Sequence, residues 1–147
     1  MLAMTTPRQI VALALTALFL ALAALHVYWA LGGRWGASVT VPTVGGRPAF
    51  KTGPAATLVV AVLLATAAII SGARTTGAVG WAPAPRLLRL ATFGLSAVFA
   101  ARAVGNFRTF GFLKVVHDTA FARYDTLVFS PLCVAISLGC LFVAIAP

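Results

Sequence analysis

The sequence predicts an all-α fold, a four-helix transmembrane bundle with both termini on one side. Three observations carry that expectation. Four apolar segments divide the 147 residues. Between Arg8 and Arg34 only His26 and Tyr28 can titrate, Thr52 to Ala73 and Thr126 to Pro147 carry no charge, and Leu87 to Val104 carries Arg89 and Arg102 near its ends. A run of about 20 apolar residues, rising 1.5 Å each, matches a hydrocarbon core of about 30 Å. Composition agrees: 61% of residues are hydrophobic and 9% charged, where a soluble domain carries about 25% charged. The connecting segments leave no room for a separate soluble domain, so residues 1–147 read as a single transmembrane domain.

The first span is expected over residues 9–31. It is rich in Ala and Leu, and Gly32-Gly33 ends it. Arg8 and the Ala21-Leu22-Ala23 stretch imitate a signal peptide, but the apolar run continues through Leu31, longer than such an h-region, so a retained helix is expected. Trp29 and Trp35 flank its end as aromatics do at a membrane interface. Loop 32–54 holds Pro42, Gly45, Gly46, Pro48 and Gly53 and is turn-rich; its Ser38-Val39-Thr40-Val41 stretch reads equally as a short strand or extended coil. The second span covers 55–73, after Pro54 and before Arg74. Loop 74–85 places Trp81 at the interface, with Pro83 and Pro85 stopping any earlier helix. The third span covers 86–104, with Arg86 and Arg89 able to snorkel from its first turn and the helix able to run on toward Phe110. Loop 105–125 mixes Phe107, Phe110, Phe112, Val115, Val116 and Phe121 with Arg108, Lys114, His117, Asp118 and Arg123, which suits an interfacial segment or one folded over the bundle mouth. The fourth span covers 126–146.

Eleven basic residues oppose two acids, Asp118 and Asp125. The basic residues lie at helix ends and in loops, where they orient the chain and meet anionic membrane lipids. No basic cluster is interleaved with aromatics on a soluble face, so no nucleic-acid partner is expected. The raw count favours loops 32–54 and 105–125 inside, whereas the density in the N-terminal tail and loop 74–85 favours the termini inside. Short loops at helix ends weigh most, so the termini are expected in the cytoplasm.

The unusual polar residues crowd toward the side opposite the termini. The distal ends of the first and third spans carry His26, Tyr28, Trp29, Arg102 and Asn106, and the fourth begins there with Tyr124, Asp125 and Ser130. That asymmetry predicts a polar pocket roofed by loops 32–54 and 105–125. His26 lies about 9 Å inside its helix end, where an ionisable residue is either a functional group or a neutral ring bonded to a neighbouring carbonyl. Arg102 and Asn106 share a helix face. A charged Arg facing inward needs a partner, and Asp125 heads the next helix on the same side. The alternatives are snorkelling for Arg102 and N-capping for Asp125. Pro131 either leaves the Leu127 carbonyl without its helical donor, as at a cavity, or opens the helix behind a Ser130 cap.

Cys133 and Cys140 lie seven apart on one helix, about 10 Å, too far for a disulfide, and read as packing residues. His26, His117, Asp118 and Asp125 are not spaced as metal ligands, and haem would need His117 folded beside His26; no metal and no cofactor is expected. No G-x-S-x-G, P-loop or H-E-x-x-H occurs, and catalytic residues are not assigned.

Several stretches carry a resemblance: His26-Val-Tyr-Trp-Ala-Leu-Gly-Gly-Arg-Trp-Gly36, Val41-Pro42, Arg102-Ala-Val-Gly-Asn-Phe-Arg108, Phe121-Ala-Arg-Tyr-Asp125 and Ser130-Pro-Leu-Cys133. Over nearly the whole chain it resembles a family of small bacterial four-helix membrane proteins classified as a domain of unknown function. The resemblance implies a four-span bundle in a bacterial inner membrane and implies no activity. It also implies no fixed residue at His117 or Asp118.

The leading expectation is a binding protein for a small amphipathic or lipid-like ligand. Arg102 would hold the charged end, His26 and Asn106 would hydrogen-bond it, and Trp29 would line the wall; Tyr28, Asp125 and Ser130 complete the candidate site. One alternative is a membrane enzyme using His26 as acid/base beside Asp125 on a lipid or isoprenoid. Another is a structural or accessory subunit, as a homo-oligomer or with a membrane-protein partner, whose polar residues only join helices. Binding or catalysis needs His26, Arg102 and Asp125 around a void. The structural alternative needs them paired and packed.

Overall fold

Four apolar helices form the bundle in a computed structural model that describes residues 6–44, 47–49, 53–75 and 85–146. Gly45, Gly46, Lys51, Trp81 and Pro83 lie outside the described residues. Helix α1 (Pro7–Ala30) starts in a capping box that its sequence encodes: Thr6 Oγ1 accepts from the Gln9 amide, and Gln9 Oε1 accepts from the Thr6 amide. It ends in a Schellman motif at Gly32, where φ is 93°, with Gly33 N–H donating to Tyr28 O and Gly32 N–H to Trp29 O. Helices α2 (Pro54–Ala73) and α3 (Pro85–Val104) each begin on proline, which lacks the N–H that the first turn leaves unpaired anyway.

The fourth span is one continuous run, Ala120–Ile145, in three pieces: α4 (Ala120–Tyr124), a π turn (Asp125–Phe129) and α5 (Ser130–Ile145). It starts six residues before the expected 126, because Thr119 caps it: Thr119 Oγ1 accepts from the Ala122 amide at 3.0 Å. Asp125 is therefore a mid-helix residue and not an N-cap. Thr119→Ala is expected to cost about 1 kcal/mol of stability. Thermal unfolding in detergent checks this, and an unchanged melt contradicts the cap.

The π turn accommodates Pro131. A proline in regular helix offers no N–H to the carbonyl four residues back and collides with it. Here Ser130 N–H reaches back to Asp125 O, one residue further than an α-helix would allow, and regular helix resumes with Pro131 in its first turn.

Helix α1 packs mainly on α2 and α3 mainly on α5, with α1 against α5 joining the two pairs. The core is Ala12, Leu15 and Phe19 of α1, Leu64, Ala67 and Ala68 of α2, and Ile136, Cys140 and Val143 of α5. Small residues let the helices approach closely, which drives association where lipid is as apolar as the side chains. A Cβ on Gly139 would sit 3.3 Å from Leu15 Cδ2, so that glycine is a contact point of α5 with α1. Phe19 and Phe99 meet in a tilted pair, centroids 5.5 Å apart, and tie α1 to α3. Between α3 and α5, Ser96 and Ser137 exchange hydrogen bonds at 2.9 Å, each hydroxyl donating to the other's carbonyl. Cys133 and Cys140 are buried and unbonded to each other.

Two loop expectations are corrected. The 38–41 stretch is not a strand: Ala37–Val39 is a 3-10 turn lying against α4, and a two-residue hairpin forms later, β1 (Thr43–Val44) with β2 (Arg47–Pro48). Helix α3 does not run on to Phe110. Gly105, at φ 95°, turns the chain back, and the Phe112 and Leu113 amides donate to the Ala103 and Val104 carbonyls. The loop thereby satisfies carbonyls that a helix end leaves unpaired.

Candidate functional site

The turned-back loop places a cluster of charges inside the distal end of the bundle. Asp125 is fully buried and its carboxylate accepts four hydrogen bonds. Oδ1 accepts from Arg102 Nη2 at 2.8 Å. Oδ2 accepts from the Gly111 amide at 2.7 Å, Lys114 Nζ at 3.0 Å and Ser130 Oγ at 3.3 Å. Lys114 is 4% exposed, and its three protons are all placed: on Asp125, on Gly111 O at 3.0 Å and on Thr126 Oγ1 at 2.7 Å. Arg102 lies at the edge of this cluster, with its guanidinium 4.6 Å from the Phe110 ring centroid. It gives Nη2 to Asp125, while Nη1 is enclosed and has no hydrogen-bond partner among the described residues.

The five members come from three pieces of chain. Arg102 is in the last turn of α3, Lys114 and Gly111 are in the loop, and Asp125 and Ser130 bracket the π turn. One carboxylate thus joins α3, the loop and the fourth span. Isolated buried charges are costly, whereas paired and fully hydrogen-bonded ones are retained.

Asn106 is the loop's organiser. Its Oδ1 accepts from the amides of Arg108, Thr109 and Phe110, and its Nδ2 donates to Thr109 Oγ1 at 2.9 Å. That occupies both ends of the amide, so Asn106 shapes the site from outside it. Gly111, at φ 86°, packs directly on Gly105, and a Cβ on either would collide with the other's backbone.

The α1 candidates form a separate group. His26 Nδ1 bonds the Leu22 carbonyl of its own helix at 2.7 Å, and its ring meets Trp29 edge-on at 5.1 Å. Trp29 Nε1 donates to Trp35 O at 2.8 Å, and Tyr28 Oη accepts from the Trp35 amide at 3.3 Å. These two aromatics brace the turn after α1. Among the described residues no hydrogen bond joins this group to Asp125.

The expected Arg102–Asp125 pair is therefore present, with Ser130 beside it, while His26, Tyr28 and Trp29 stand apart. Sequence reasoning missed Lys114, Gly111 and Thr126. The available signal was a lysine set among phenylalanines, three residues after a glycine. Among the described residues Arg102 and Lys114 pair directly with Asp125. An open groove of about 430 Å³ lies between α3 and α5; its wall is apolar apart from Ser137, and includes Ala103, Val104, Phe112, Leu113, Val134 and Leu138. Its upper wall is the same loop that carries Gly111 and Lys114.

The comparisons add a family and no activity. The chain belongs to the family described as a protein of unknown function (DUF3995), whose model matches residues 9–140. No curated protein and no solved structure matches it.

Proposed function

We propose that this family member is a multi-pass protein of the bacterial inner membrane, termini in the cytoplasm, that retains one lipid-like chain between α3 and α5 with its polar end at Arg102. The observation that carries this reading is the 430 Å³ apolar groove next to a buried charge cluster. A volume in the range of small-molecule pockets, with few polar groups at one end, suits a long apolar molecule with a single polar end. Arg102 does not line the groove but adjoins its end, one residue before Ala103 and Val104 of the wall, and a small side-chain movement would bring its Nη1, which has no hydrogen-bond partner among the described residues, to a carboxylate, phosphate or carbonyl oxygen. The saturated Asp125 cluster then holds Arg102 and the loop in place.

Filling the groove tests this. Leu138→Trp is expected to lose a discrete copurifying lipid, read by native mass spectrometry with lipidomics, while the melting temperature stays near wild type. Arg102→Gln is expected to lose it as well. If the wild type retains no discrete lipid, the reading fails.

The second reading, a structural subunit, draws on the saturation of Asp125 and Lys114, which leaves those two groups nothing to offer a ligand. It expects Arg102→Gln to lower thermal stability with no change in bound lipid. An acid/base role for His26 would fall to Nε2, since Nδ1 is engaged by Leu22 O.

A further inference from the structure

The opposite end of the bundle carries four arginines and no Asp or Glu. Arg8 stands at the start of α1, Arg74 just past the end of α2, and Arg86 and Arg89 in the first turns of α3. The chain's two acids, Asp118 and Asp125, are both on the distal side, and residues 76–84 contribute none.

Hydrogen bonds draw this end together. Gln9 Nε2 donates to Thr75 O at 3.0 Å, joining the start of α1 to the end of α2. Arg74 Nη2 donates to Val143 O at 2.9 Å, joining α2 to the last turns of α5. Arg74 is thereby fixed at a three-helix junction. Burial first, and then the nearby charges of Arg8 and Arg89, push its pKa below the ordinary arginine value. Arginine remains protonated under such shifts, so the like charges persist. Arg8 Nε and Arg74 Nε are both enclosed, and neither has a hydrogen-bond partner among the described residues. Enclosed N–H groups on charged side chains are expensive to leave unpaired.

We infer that Arg8 and Arg74, brought together where the start of α1 meets the end of α2, form an anion site at the terminus-side membrane surface that takes the phosphate of an anionic phospholipid headgroup. Guanidinium groups offer paired N–H donors that match phosphate oxygens. The position suits a headgroup, because Arg8 is in the first turn of a spanning helix and Arg74 directly follows one. A zwitterionic headgroup carries a choline cation that the same arginines repel. The site is independent of the groove between α3 and α5, so each can fail alone.

The test is binding of phosphatidylglycerol, phosphatidylcholine and inorganic phosphate to the full chain in neutral detergent, read by native mass spectrometry. One phosphatidylglycerol is expected per chain. Arg8→Gln and Arg74→Lys are each expected to weaken it by roughly tenfold, the worth of one charge-assisted hydrogen bond. Arg123→Gln, on the distal side, should leave it unchanged. Arg74 also holds the Val143 carbonyl, so Arg8→Gln, which breaks no hydrogen bond seen here, keeps the test readable if Arg74→Lys unfolds. Competition by inorganic phosphate would show that the phosphate group suffices. No competition would assign part of the affinity to the lipid's glycerol and chains. A Gly-Ser extension after Pro147, which moves the terminal carboxylate, should not alter the affinity. Equal retention of both lipids, unchanged affinity in Arg8→Gln and Arg74→Lys, or phosphatidylglycerol binding that appears only with the extension would each overturn the site.

Discussion

Asp125→Asn is expected to be the most damaging conservative substitution in the chain. It removes the carboxylate that pairs with both Lys114 and Arg102 while leaving the lysine in a site where it is 4% exposed. Breaking a buried pair by removing one partner costs about 3–5 kcal/mol, because the remaining charge is left uncompensated. The loss should appear as a large fall in thermal stability in detergent. Adding Lys114→Met to Asp125→Asn should recover part of it, since the second change removes the stranded ammonium. That non-additivity is the signature of direct coupling. An Asp125→Asn protein that melts with the wild type would show that the cluster holds nothing together.

Gly111→Ala is expected to come next, with a loss of at least about 2 kcal/mol. The backbone at Gly111 has φ 86°, where a side chain is strained, and an added Cβ would strike Gly105 and the Val104 carbonyl. These are backbone atoms of the turn that ends α3, so no side chain can rotate away. The Gly111 amide is also one of Asp125's donors, at 2.7 Å. The substitution should therefore loosen the loop and the charge cluster together. Limited proteolysis in the 105–119 segment reads the first, and thermal unfolding the second. Gly94→Ala is the matched control, because nothing lies within 4 Å of its added methyl. If both alanine variants behave alike, the close approach of Gly105 and Gly111 is not a constraint.

The spans were legible because the information is local: a membrane helix is encoded by an apolar run of sufficient length, and the only charges within the runs, Arg89 and Arg102, sit near the ends of the third. The Arg102–Asp125 pair was legible for a related reason. With two acids in the chain, an inward-facing arginine has few partners, and Asp125 was the one at the right height. Lys114 was not legible, because a lysine in a loop reads as solvated until the loop's path is known. That path depends on Gly105 and Gly111 meeting across five residues, a contact no periodicity reveals. The start of the fourth span was hidden in the same way. Arg123 and Asp125 looked like loop, yet both belong to the helix that Thr119 caps. His26 was placed correctly on its helix, but hydropathy could not say that its partner would be its own Leu22 carbonyl.

The two ends of the molecule divide the polar work. At the distal end Arg102 and Lys114 pair with Asp125, and an apolar groove lies beside them. At the proximal end Arg8, Arg74, Arg86 and Arg89 form no ion pair among the described residues. Both features leave the lipid-facing surface of the spans apolar, with Val59, Val62 and Ile69 of α2 exposed on it.

The central claim is that a lipid chain occupies the groove between α3 and α5 in preference to the rest of that surface. It is tested most directly by photo-crosslinking in membranes with a lipid bearing a diazirine in its acyl chain, followed by peptide mapping. The account predicts adducts concentrated on Leu113, Val134 and Leu138 and lost in Leu138→Trp at the first two positions. Adducts spread evenly over the groove and over Val59, Val62 and Ile69 would contradict it.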